Sequence, residues 1–130
     1  MPKFDLLLND YQTAVTQLEN ALKEKTDDEL KQAGCIQYFE FCFELAWKTV
    51  KAFFEYKGMI DCNSPRDCMK LAFKANLINN ENIWIAMLEN RNMTVHTYSI
   101  ETALDVYESL PAYLIEMKNL ISNIQHQQTL

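Results

Sequence analysis

The chain has 130 residues, 48% of them hydrophobic and 23% charged, with a net charge of −6. That length accommodates one domain with its own core, and that composition belongs to a folded chain, not a disordered one. Only 2 Gly and 3 Pro occur, which excludes turn-rich all-β folds and glycine-rich phosphate loops, and the acidic balance opposes stable binding to long nucleic acid. The expectation is an all-α chain, an up-and-down helical bundle of four main helices plus a short extra helix. It should occupy residues 1–124, with a polar tail over 125–130 that frays. No apolar run approaches the roughly 20 residues that span a bilayer, and no secretory leader pattern is present. A cytoplasmic protein with no membrane partner is therefore expected.

In chain order, Phe4, Leu7, Leu8, Tyr11, Val15, Leu18 and Leu22 form the stripe of an amphipathic helix. Thr26 followed by Glu29 reads as a capping box, so a second helix should begin there and run to about Tyr56, with Gly58 as its stop. That helix is unusually apolar. Ile36, Phe39, Phe43, Trp47, Val50 and Phe53 make one stripe, and Tyr38, Phe41, Leu45 and Phe54 widen it. It belongs at the centre of a bundle or at a dimer interface. Glu40 and Glu44 sit within it and admit two readings. They lie on a solvated strip, with Glu44–Lys48 and Lys51–Glu55 as i,i+4 pairs, or one carboxylate turns into a site and orients a basic group there.

Ser64-Pro65 is a cap with proline at the first helical position, opening a short third helix through about Ala75. A fourth follows Asn79 and Asn80 and carries Trp84, Met87 and Leu88. The last begins near Ser99, with Ile100, Leu104, Tyr107, Leu114, Met117, Ile121 and Ile124 as its stripe. Pro111 falls inside it and should kink or restart it. Cys35, Cys42, Cys62 and Cys68 form no C-x-x-C pair, and neither His stands at zinc-finger spacing from them. Four reduced thiols packed as small apolar groups are expected, with no metal site and no cofactor.

The stretch Glu89-Asn90-Arg91-Asn92-Met93-Thr94-Val95-His96-Thr97-Tyr98 concentrates polar chemistry. Thr94, Val95 and Thr97 are weak helix formers, so the fourth helix should end among them. On an unbroken helix, positions 91 and 96 would lie about 140° apart, whereas a break lets both side chains converge. Arg91 suits a phosphate through bidentate, permanently charged contacts. His96 suits proton transfer at neutral pH, and Tyr98 suits hydrogen bonding or acceptance of a transferred group. The plain alternative is a loop whose Arg caps carbonyls, whose His packs neutrally and whose Tyr fills the core.

Arg91 to Tyr98 resembles the R-x4-H-x-Y motif of the HEPN superfamily. The blocks Ile36–Phe41, Phe43–Lys48, Ser64–Asp67 and Met87–Asn92 are similar, in order, to its nucleotidyltransferase substrate-binding protein family. The resemblance covers roughly residues 5 to 120. It implies a homodimeric helical bundle that partners a minimal nucleotidyltransferase. Related HEPN proteins are metal-independent endoribonuclease toxins, acting across the dimer interface on RNA. Their nucleotidyltransferase antitoxin silences them by adding AMP to the motif tyrosine. By resemblance, Arg91 would stabilise the phosphorane, His96 would be general acid or base, Asn92 the adjacent polar residue, and Tyr98 the AMP acceptor. Glu40 and Glu44 fall in matching blocks without a role to carry over. No G-S-x-x-x-D signature is present, so the chain is not expected to be the transferase. Two other expectations stay open: a non-catalytic subunit that binds a nucleotide or substrate for the transferase, and a purely structural helical dimer.

Overall fold

The computed structural model describes residues 2–59, 61–96 and 99–129, with side chains for all of these except 94–96. Among the described residues there are five helices and no strand: α1 (Lys3–Ala21), α2 (Glu29–Tyr56), α3 (Pro65–Lys74), α4 (Glu81–His96) and α5 (Ile100–Gln128). Four are long and α3 is the short extra one, which is the expected all-α bundle. None of them is long and apolar enough to cross a membrane.

Local chemistry sets most of the helix ends. Ser64 Oγ accepts the Asp67 amide at 3.1 Å with Pro65 first in the helix, and Ser99 Oγ accepts the Thr102 amide at 3.1 Å. At the end of α2, Gly58 takes φ +68°, and the amides of Gly58 and Met59 return to the carbonyls of Glu55 and Phe54. That is a Schellman stop, which needs a left-handed residue at the glycine. The start of α2 differs from the expectation. Asp28, not Thr26, caps it, with Oδ1 accepting the amides of Leu30 and Lys31 at 2.8 and 3.1 Å. Thr26 Oγ1 instead accepts the Asp28 amide at 3.1 Å and shapes the turn before the helix. Both residue types cap well, and the carboxylate also meets the positive end of the helix dipole.

The last helix corrects two expectations. α5 runs unbroken through Pro111, whose side chain is exposed and so does not disturb the packed face. The chain beyond Gln125 does not fray but stays helical to Gln128. Gln127 Nε2 donates to the Ala75 carbonyl at 2.9 Å, and Lys57 Nζ donates to the Gln127 carbonyl at 3.0 Å. These bonds tie the end of α5 to the ends of α3 and α2.

α2 packs against all four other helices, so it is the central element of the bundle. Phe39, Phe43, Phe53 and Phe54 are fully buried on it. Each such side chain contributes about 1.5–3 kcal/mol of burial free energy. Its mate α1 brings Phe4, Leu8, Tyr11, Val15 and Leu18, and the Tyr11 hydroxyl donates to the Met117 carbonyl at 2.8 Å. Phe41, expected to widen the buried stripe, is 51% exposed. The inward face of α5 is Val106, Tyr107, Leu110, Tyr113, Met117, Leu120 and Ile124, while Ile100 and Leu104 are exposed.

The cysteines also depart from four reduced thiols. Cys62 and Cys68 form a disulfide, while Cys35 and Cys42 are free and buried. The two cysteines flank the Ser64 cap, Cys62 two residues before it and Cys68 in the first turn of α3. Lys51 Nζ holds the segment before the cap, donating to the Cys62 carbonyl at 2.6 Å and to Asp61 Oδ1 at 2.9 Å. Burial pushes the Cys42 thiol up to about 12, and raises Cys35 for the same reason.

Candidate functional site

α4 starts where Asn80 Oδ1 accepts the Ile83 amide at 3.2 Å, and buried Trp84, Met87 and Leu88 anchor it on the core. The Trp84 ring lies 6.3 Å from that of Phe43 on α2. One turn further on, Arg91 leaves the packed face and reaches α2. Its Nη2 donates to Glu44 Oε2 at 3.1 Å, and both side chains are about one-third exposed. Lys48 Nζ approaches the other oxygen, Glu44 Oε1, at 3.3 Å. One carboxylate thus holds two cations from two helices.

Glu40 stands one turn before Glu44, on the same side of α2. Burial raises its carboxyl above the usual range, and the positive charge of Arg91 acts in the opposite direction. Two carboxylates therefore share the field of one guanidinium. The ion-pair reading of this strip is met, with Lys51 and Glu55 at 3.9 Å, and Glu44 makes a further contact with another helix. A half-exposed pair of this kind adds about 1 kcal/mol or less to stability. Its larger consequence is geometric, since it sets where the guanidinium stands.

Behind Arg91 lies a contact that sequence reasoning missed. Asn90 Nδ2 donates to the Tyr113 hydroxyl, and the Tyr113 ring stacks on Phe39 at 5.5 Å and 29°. Burial raises the Tyr113 phenol above its usual value, while hydrogen bonding from Ser109 and Asn90 works the other way. The contact locks α4 to α5 beside the arginine. Its one available signal was the Val106-Leu110-Tyr113-Met117 periodicity, obscured by the break expected at Pro111.

The fourth helix does not end between Arg91 and His96. Its backbone is helical through His96, because the propensity deficit of Thr94 and Val95 amounts to only tenths of a kcal/mol per residue. Positions 91 and 96 therefore lie about 140° apart around one helix axis. No break turns them toward each other. Asn92 is exposed on α4. The side chain of His96 and the whole of Tyr98 lie outside the described residues.

Residues 6–126 match the family described as nucleotidyltransferase substrate binding protein like, and the chain belongs to that family. It is similar to the probable ribonuclease HepT of Haemophilus influenzae, at 32% identity over 99 residues that cover 73% of this chain and 68% of that protein. A Haemophilus influenzae protein with the fold of a nucleotidyltransferase's substrate binding domain is similar at 28% identity and a TM-score of 0.81. That match covers 91% of this chain and 98% of the other. The tri-AMPylated HEPN toxin of Shewanella oneidensis, solved in complex with its MNT antitoxin, shares the fold, with a TM-score of 0.79 at 19% identity. It covers 97% of this chain and 99% of the toxin.

Proposed function

We propose that this chain is a HEPN-type toxin, a metal-independent endoribonuclease silenced by a minimal nucleotidyltransferase that adds AMP to Tyr98. The observation that carries the reading is the Arg91–Glu44 contact at 3.1 Å. It places the arginine of R-x4-H-x-Y by a carboxylate on the central helix instead of leaving it as a solvated side chain. The family and its relatives point the same way, one being the probable ribonuclease HepT and another an AMPylated toxin bound to its antitoxin.

The chemistry would proceed by attack of a ribose 2′-oxygen on the adjacent phosphorus. His96 takes the 2′-hydroxyl proton, Arg91 stabilises the extra negative charge of the phosphorane, and the P–O5′ bond breaks. The 5′-oxygen leaves with a proton from a general acid, so the products are a 2′,3′-cyclic phosphate and a 5′-hydroxyl. By the resemblance, two copies of the chain would form the site across their interface, and the offset of about 140° between positions 91 and 96 on one helix is compatible with such a shared site. Silencing joins the Tyr98 phenol oxygen to the α-phosphorus of ATP and releases pyrophosphate.

The test is RNA cleavage by the unmodified chain in EDTA, with end-group analysis. Cyclic phosphate ends, lost in His96→Ala, are the expected result. A second reading follows from the family description, in which the chain binds substrate for the transferase without turnover. It predicts intact RNA together with nucleotide-dependent complex formation.

A further inference from the structure

Three of the chain's twelve basic residues gather at one end of the bundle, around the connection from α1 to α2. An open cavity of about 530 Å³ lies there, with Lys23, Lys25 and Lys31 on its rim and Glu24 as the one carboxylate among its lining residues. Among the described residues, none of the three lysines is paired with a carboxylate. Asp27, Asp28 and Glu29 lie on or beside the same connection, and the charge of Lys23 also acts on Glu19. The three ammonium groups would therefore hold an anion by direct contact at the cavity rim and not by a net positive field.

Two further features fit a ligand with a ring as well as a charge. Gly34 lies in the body of α2, where a glycine weakens a helix by roughly 0.5–1 kcal/mol relative to alanine. A Cβ built on it would meet nothing within 4 Å, and its φ is not in the left-handed region. Neither close packing nor backbone geometry demands this glycine, and its effect is to leave the cavity open. One turn on, the half-buried Tyr38 lines the same cavity, and its hydroxyl has no hydrogen-bond partner among the described residues. The volume lies within the range of small-molecule sites. Lysines beside an aromatic side chain are the pairing that holds phosphate and base.

We propose that the α1–α2 cavity is a binding site for a phosphate-bearing nucleotide, with Lys23, Lys25 and Lys31 receiving the phosphate and Tyr38 the base. The same chemistry is offered by a free nucleotide and by a nucleotide of single-stranded RNA. The site is separate from Arg91 and does not depend on the ribonuclease reading. It uses residues of one chain only.

The experiment is calorimetric titration of the full chain with ATP and, separately, with a short single-stranded oligouridylate. Gly34→Leu fills the opening while favouring the helix, and a Lys23→Gln/Lys25→Gln/Lys31→Gln variant removes the charge. Binding of either probe that weakens about tenfold or more in both variants, with unchanged circular dichroism, is the expected result. ATP binding identifies a free nucleotide as the source, and binding of the oligouridylate alone identifies RNA. Failure of both probes to bind at millimolar concentration overturns the proposal, as does binding indifferent to both variants. RNA cleavage is scored separately with Arg91→Ala, so loss of the cavity and loss of the ribonuclease reading give different results.

Discussion

Glu44 is the residue on which the geometry of the site turns. Its carboxylate is shared between Arg91 and Lys48, so its removal leaves the guanidinium without that anchor and costs little in folding. Glu44→Gln should reduce RNA cleavage by about 10- to 100-fold, the scale expected when a reacting group is misplaced by about an ångström. The melting temperature should barely move. A variant that cleaves at the wild-type rate would remove Glu44 from the account. Glu40 behaves differently. Its carboxyl is raised by burial, with Arg91 opposing, so it contributes stability that is full below the unfolded carboxylate range and is lost as pH rises through the folded value. Glu40→Gln should flatten that part of the pH–stability curve and raise stability near neutrality by up to about 1 kcal/mol, discounted for its partial exposure. Urea unfolding across the acid-to-neutral range, wild type against variant, reads the difference directly.

At the scale of elements, the central helix carries both fold and site. Phe39 packs the core, stacks on Tyr113 and precedes Glu40. Phe39→Ala should therefore cost about 3–5 kcal/mol in chemical denaturation, and Tyr113→Phe far less, since it keeps the ring and loses only the hydroxyl's hydrogen bonding with Asn90 and Ser109. The cysteines give an independent check. Native chain should show no thiol reactive to a disulfide reagent at neutral pH, because Cys35 and Cys42 are buried with raised values. Denaturation without reductant should expose two thiols, and reduction should expose four. Four thiols on denaturation alone would contradict the Cys62–Cys68 bond.

The same elements show how much could be read in advance. Ser64-Pro65, Gly58 and Ser99 were legible as helix punctuation because each satisfies backbone groups within a few residues of itself. The apolar excess of α2 was legible as burial on several sides. Long-range relations were not. Pro111 is tolerated because of where it faces, α4 continues past Thr94 and Val95 because propensity is weak, and Cys62 meets Cys68 across a helix cap. Asp28 displaced Thr26 because two good caps compete within three residues. For the site, the sequence named Arg91 and Glu44 separately, and only the packing of α4 on α2 joined them.

For the whole molecule, an unbroken α4 is compatible with a shared site. With positions 91 and 96 on different sides of one helix, Arg91 and His96 are proposed to serve one phosphate across the interface of two chains. The chain should sediment at twice its monomer mass. Mixing inactive Arg91→Ala with inactive His96→Ala should restore part of the cleavage, through heterodimers that hold one intact composite site. Co-expression with the partner nucleotidyltransferase and ATP should add whole AMP units at Tyr98, read by mass spectrometry, and abolish cleavage. Under the proposal, the net charge of −6 predicts that RNA is met only through a few local cations.

The most direct measurement is cleavage of single-stranded RNA in EDTA by the purified, unmodified chain, beside Arg91→Ala and His96→Ala variants of unchanged circular dichroism. The account predicts 2′,3′-cyclic phosphate and 5′-hydroxyl ends from the wild type and about a hundredfold or greater loss in each variant. Intact RNA, cleavage that needs a metal, or cleavage that survives both substitutions would contradict it.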